Sequence, residues 1–295
     1  MHSLRWKFTV PIEGQPSHQG PSTSLIYLPV AALVAVALLL SGNSTPAAEG
    51  PLDAAEQVPS FGGGLRTIAL DPGHGGRAAG APGIGGLSEK DITLDIAVRL
   101  RELIYRRLGL QVFMTREDDV DLDLDSRTEK ANNWEADLFV SIHANAYRVN
   151  DVRGPETYFL SDAASDTIAS GVAQRENEGV PQAVRGIDGQ ALDFILWDLA
   201  HTQHLRESSL LAEEIQQSMN GLWQLRDRGV KQAPLRVLKG ATMPAVLVEL
   251  GYLSNPADAA MIADSGFRQQ LAEALFRGID NFRQQHAVLA GAPNP

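Results

Sequence analysis

Three apolar runs in this chain lead to a residue able to bind a metal or move a proton. IALDPGHGG places His74 just past one run, DLFVSIHANA places His143 at the end of a second, and AVLVELGYLSNP sets Glu249 in a third. A fourth group, Glu89, begins the helical pattern after the loop that His74 starts. Two imidazoles and one carboxylate, with a fourth position open to water, make a typical catalytic zinc shell. Such a shell keeps a net positive charge and lowers the pKa of bound water to about 7. A carboxylate outside the shell can then take the proton and later hand it to a leaving amine. Glu249 suits that role, because it interrupts an apolar strand where desolvation raises a carboxyl pKa. Taken singly, each residue has a plainer reading: a turn-closing histidine, a helix-start acid favoured by the macrodipole, a core histidine, an arginine-paired glutamate. The coincidence at three strand ends carries the case.

The elements that must position these groups alternate along the chain. RTIALD, LQVFMT, DLFVSI, ETYFL, LRVL and AVLVEL read as short strands. Helical patterns fit Ser88 to Leu108, Leu124 to Glu135, Ala163 to Glu178, Gln190 to Met219 and Pro256 to Gln285. Ser88, with Asp91 three residues on, is the expected N-cap of the first helix, and Gly109 its stop. Strands alternating with long helices predict an α/β fold: a single domain with a central mixed, largely parallel sheet flanked by helices. In such sheets ligands gather at the carboxyl ends of the strands, which is where His74 and His143 fall.

The bulk numbers bound the rest. A net charge of -11 offers no basic stripe for phosphates and argues against nucleic acid. With 0 cysteines, disulfides, thiolate metal sites and cysteine nucleophiles are excluded. SLIYLPVAALVAVALLL, preceded by Arg5 and Lys7, reads as a signal peptide or a retained membrane anchor, and either implies export. The expected organisation is an N-terminal region at 1–24, a hydrophobic signal or anchor at 25–41, a linker at 42–64, a catalytic domain at 65–286 and a tail at 287–295.

The motifs LDPGHGG, SEKDITLDIAVRL, VFMTRE, DLFVSIHANA, RGPETYFLS and RGVKQAPLRVLKGATMPAVLVELGYLSNPAD occur in that order. Together they resemble the zinc-dependent N-acetylmuramoyl-L-alanine amidases of the type-3 family, over about Thr67 to Arg283. The resemblance implies His74, Glu89 and His143 as ligands of Zn2+ and Glu249 as the catalytic carboxylate. It also implies peptidoglycan as the substrate, cut at the amide between the lactyl group of N-acetylmuramic acid and L-alanine. Placement at the periplasm or the outer face of the cytoplasmic membrane follows, with membrane attachment if the N-terminal segment is kept. A zinc peptidase acting on stem peptides would use the same shell and is the alternative. Arg116 and Asn145 lie where they could touch substrate.

The stretch at about 161–209 resembles the insertion of cell-division amidases, in which a helix covers the active site until an activator protein moves it. Glu176, Glu178 and Asp188 are the acids that could fill the open zinc position, and Leu192, Phe194, Ile195, Leu196 and Leu199 offer a docking face for that activator. His201 and His204, at i and i+3, lack a third ligand of comparable context. The negative charge gives no attraction to an anionic wall, which favours recruitment by a partner.

Overall fold

Strand β3 (Leu138–Asn145) and strand β6 (Ala245–Tyr252) are buried at every position, which is why both read as nearly unbroken apolar runs. They lie side by side at the centre of a six-stranded sheet of order β2-β1-β3-β6-β4-β5. The computed structural model describes residues 64–148, 151–178, 191–223 and 227–289, all within the compact unit Glu56–Pro295. The expected N-terminal region, signal or anchor, nearly all of the linker, and Asp188 lie outside the described residues.

Strands β1 (Thr67–Pro72) and β2 (Gln111–Met114) run parallel to β3 and β6. Strand β4 (Glu156–Leu160) pairs antiparallel with β6 and parallel with β5 (Val230–Ala233), so the sheet is mixed and largely parallel, as predicted. Alternation sorts the side chains of β3 and β6 onto two faces. Leu138, Val140, Ile142, Val246, Val248 and Leu250 pack into one core cluster with residues of α1 (Glu89–Leu108), α4 (Ala191–Trp223) and α6 (Ser265–Leu289). Ile96, Leu100 and Ile104 of α1 are fully buried in that cluster, each contributing about 1.5–3 kcal/mol. Phe139 and Leu247 turn the other way, into a second cluster with residues of α2 (Leu124–Asn133) and α3 (Thr167–Glu176). His143 and Glu249 continue this second face at the carboxyl ends of their strands.

Two expectations are corrected. LRVL is not a strand: Arg236–Leu238 forms a 3-10 turn, and the edge strand is the preceding VKQA, whose central polar residues Lys231 and Gln232 hid it. The helix expected from Pro256 to Gln285 is two, α5 (Pro256–Ala263) and α6, because Asp264 leaves the helical region and accepts from the Phe267 amide at 2.7 Å. Ser88 occupies the N-cap of α1, but its hydroxyl makes no capping bond. Gly109 closes that helix in the left-handed conformation, as expected. Among the described residues, no helix is long and apolar enough to cross a membrane.

Candidate metal centre

At the end of β1 the chain turns through His74, which takes a φ of 59°, unusual for a residue with a side chain. This turn carries the imidazole toward β3. His74 Nε2 lies 3.1 Å from Glu89 Oε1, and His143 Nδ1 lies 3.2 Å from the same oxygen. The two rings meet edge to face with centroids 4.9 Å apart. Glu89 is anchored as the first residue of α1, and both its oxygens are tied to backbone: Ala81 N–H donates to Oε2 at 2.6 Å and Ala144 N–H to Oε1 at 2.9 Å.

Glycines leave the room this convergence needs. A Cβ at Gly73 would sit 2.5 Å from Cε1 and Nε2 of His143. One at Gly80 would collide with Glu89 Oε2 and lie 2.7 Å from His74 Cδ2. At these two points the chain approaches the cluster too closely to carry a side chain.

Glu249 pairs with His143 across the β3–β6 ladder and is fully buried. Neither of its carboxyl oxygens has a hydrogen-bond partner among the described residues. Burial first, and then the negative charge of Glu176, raise its pKa well above the ordinary carboxyl value. An orphaned buried carboxyl is costly, so the fold holds Glu249 there against that cost.

Glu176, the last residue of α3, joins the cluster. Its Oε2 lies 2.9 Å from His143 Nδ1 and 3.4 Å from His74 Nε2. Ligand atoms of His74, His143 and Glu176 all fall within 4.8 Å of one another, a spacing suited to one cation. Burial alone would lower both imidazoles, but contacts with Glu176 and Glu89 outweigh it; His74 is raised and His143 well raised. Burial alone would likewise raise Glu89 and Glu176, yet the imidazoles hold both carboxyls below their ordinary value. Two ionised carboxyls, Glu89 and Glu176, face two imidazoles, and imidazole nitrogen with carboxylate oxygen is a donor set that zinc accepts. The residues therefore fit a divalent cation.

The other expected residues fall differently. Asn145 is buried, with its Oδ1 accepting from Arg175, the neighbour of Glu176 on α3. Glu178 is exposed and lines the cleft, about 460 Å³, that also holds His74, His143, Arg175 and Glu176. Arg116, expected to reach substrate, is only 3% exposed and donates to the carbonyls of Pro72, Gly73, Lys90 and Asp118, so its fork is committed to backbone. His204 Nδ1 lies 3.6 Å from Glu207 on its own helix, and among the described residues no second group of three metal-ligating side chains converges.

Two groups that sequence reasoning missed stand just behind the cluster. Asp71 is fully buried, accepting from Arg127 Nη1 at 2.8 Å, Thr115 Oγ1 at 2.5 Å and Ser141 Oγ at 2.7 Å. Burial pushes Asp71 up, but Arg127 and the two hydroxyls outweigh it and keep the carboxyl low. The only signal in the sequence is an acid ending an apolar run, LDPG, which reads equally well as the start of a turn.

A family model described as N-acetylmuramoyl-L-alanine amidase matches residues 68–281. The amidase AmiC of Neisseria meningitidis serogroup B is 36% identical over 219 residues, covering 73% of this chain and 52% of its own length. This chain therefore spans about half of that relative. AmiA of Escherichia coli is 34% identical over 223 residues, with 75% of this chain and 77% of AmiA covered. Among solved structures, the CwlD amidase of Clostridioides difficile, in complex with the GerS lipoprotein, is 28% identical with a TM-score of 0.56, covering 74% of this chain and 98% of that one.

Proposed function

The chain belongs to the N-acetylmuramoyl-L-alanine amidase family, and on that premise we propose that it hydrolyses the amide between the lactyl group of N-acetylmuramic acid and L-alanine in peptidoglycan. The observation that carries this reading is Glu249: a buried, unpartnered carboxyl in register with His143, beside the cluster of His74 and Glu89. His74, Glu89 and His143 would hold zinc. When bound, the metal supplies Lewis acidity to the scissile carbonyl and to the attacking water.

Glu249 takes one proton from that water as the C–O bond forms, and delivers it to the alanine nitrogen as the C–N bond breaks. The products are a lactyl-terminated glycan and a free stem peptide beginning with alanine. A raised pKa makes the ionised Glu249 a stronger base toward the attacking water, and its protonated form then delivers that proton to the departing nitrogen.

Glu176 is the acid we assign to an inhibitory role. It meets both imidazoles, and Arg175 beside it engages Asn145, so the end of α3 covers the centre at two neighbouring points. Activation then requires α3 to be displaced, and we assign this to an activator protein acting on the insertion at about 161–209. Cell-wall remodelling during daughter-cell separation, outside the cytoplasmic membrane, is the setting that this substrate and this control suit. Because CwlD was solved with a lipoprotein bound, a protein partner has a precedent in this fold.

The test is digestion of purified sacculi with product analysis by mass spectrometry, with and without chelator. Chelator-sensitive release of lactyl-terminated glycans and alanine-led peptides is expected. Release of D-amino acids or of cut stem peptides would instead establish a peptidase.

A further inference from the structure

Resting on the reading that His74, Glu89 and His143 hold zinc, we propose that Arg116 and Arg127 are positioning residues for that metal. They fix the backbone turn that aims His74 at its fellow ligands. His74, Gly75 and Gly76 follow one another with φ of 59°, 126° and 58°. A residue with a side chain stays in such a conformation only when its surroundings impose it.

The two guanidinium groups impose it by gripping three successive carbonyls. Pro72 O accepts from Arg116 Nε at 2.9 Å and from Arg127 Nη1 at 3.0 Å. Gly73 O accepts from Arg116 Nη2 at 2.8 Å, and also from Thr93 Oγ1 at 3.0 Å. His74 O accepts from Arg127 Nη2 at 3.0 Å. Arg116 lies directly beneath the turn, since a Cβ at Gly75 would come within 3.0 Å of its Cδ.

The same donors reach the segments that carry the other two ligands. Arg116 Nη2 also donates to Lys90 O at 2.8 Å, one residue beyond Glu89. Arg127 Nη1 pairs with Asp71 at 2.8 Å, and Asp71 accepts from Ser141 Oγ at 2.7 Å, two residues before His143. Turn, helix start and strand end are thereby locked into one frame. Arg127 also pairs with Asp71, but both guanidinium groups direct most of their hydrogen bonds at backbone carbonyls around a ligand. Both are nearly buried, at 3% and 2% exposure, although Arg127 lines the cleft.

The experiment measures Zn2+ affinity of the full-length chain by competition with a chromophoric chelator, alongside the thermal midpoint of the zinc-free protein. Arg116→Lys and Arg127→Lys keep the charge but cannot fork between carbonyls. Each is expected to weaken zinc binding roughly tenfold or more, the effect of losing a partner that orients a metal ligand. Arg228→Lys is the control: Arg228 pairs with buried Glu156 on β4, away from the turn, and its loss should lower the midpoint without changing zinc affinity. Should an arginine variant fail to fold, Thr93→Val removes the hydroxyl that donates to Gly73 O and accepts from Arg116 Nη2, and should still weaken zinc severalfold. Unchanged affinity in the folded variants overturns the proposal, as does a loss that simply follows the midpoint through Arg228→Lys. A wild-type chain that binds no Zn2+ overturns instead the metal reading beneath it.

Discussion

Glu176 Oε2 stands 2.9 Å from His143 Nδ1, although the two residues reach that point from a helix end and a strand end. If the carboxylate is a brake, Glu176→Ala should raise the initial rate on sacculi in the absence of any activator. A charge-assisted hydrogen bond is worth about 1.5–3 kcal/mol, so the open population should grow by roughly tenfold or more. An unchanged or lower rate from a folded Glu176→Ala protein removes Glu176 from that role.

Glu249→Gln tests the proton-transfer assignment. The amide fills the same volume in a fully buried position, so the fold and zinc content should be retained. Turnover should fall by about 10²–10⁴, the usual worth of a positioned acid–base group. Near-normal hydrolysis by this variant would mean that another group moves the proton.

How much of this was legible in the sequence depends on the element. β3 and β6 announced themselves because both faces are covered, and a strand buried on two sides must be apolar throughout. The same logic exposed His143 and Glu249, polar residues where burial demanded apolar ones. β5 escaped because this short edge strand has Lys231, paired with Asp166, and exposed Gln232 at its centre and so loses the apolar signature. Arg127 escaped for another reason: within LDLDSRTEKANN it looks like the charge of any solvated helix, and only the path of the β1 loop around it makes it buried. Glu176 was one of three acids in the insertion, and sequence spacing could not choose among them; the end of α3 brings Glu176 onto the imidazoles while Glu178 only lines the cleft, and Asp188 lies outside the described residues.

Metal uptake should depend on pH with a definite sign. In the zinc-free protein both imidazoles are raised above the ordinary histidine value. A group whose folded pKa lies above its unfolded one stabilises the fold below the unfolded pKa, and that stability is lost as pH rises through the folded pKa. The zinc-free midpoint should therefore lose this contribution as pH climbs from about 6.5. Zinc must displace those protons, so its affinity rises over the same range. The thermal shift caused by zinc should consequently grow with pH, and proton release should accompany binding in weakly buffered solution. A zinc-induced shift that is flat between about pH 6 and 9 contradicts this assignment.

Disrupting the acid–base anchor behind the centre should cost stability in a way that depends on pH. Asp71 is fully buried and Arg127 is its only cationic partner among the described residues. Arg127→Met would strand that carboxylate, at a cost of about 3–5 kcal/mol. Chemical denaturation of the zinc-free protein at neutral pH measures this directly. Because the Asp71 carboxyl is held below its ordinary value, the penalty should shrink as pH falls through the carboxylate range and Asp71 takes up a proton. A penalty independent of pH would show that packing, rather than charge, is what Arg127 contributes.

Gly73→Ala separates crowding at the centre from general strain. The added methyl would lie 2.5 Å from two ring atoms of His143, and that ring is buried at 3% exposure with little room to retreat. Overpacking of this kind costs about 1–3 kcal/mol, and any relief must move the imidazole out of line with Glu89. Zinc affinity should fall along with the thermal midpoint. Gly221→Ala, within α4 and with nothing inside 4 Å of the new methyl, supplies the contrast: a helical glycine replaced by alanine should gain about 0.5–1 kcal/mol and leave zinc binding untouched. If Gly73→Ala bound zinc as tightly as the wild type, the close approach of this turn to His143 would have no part in building the metal site.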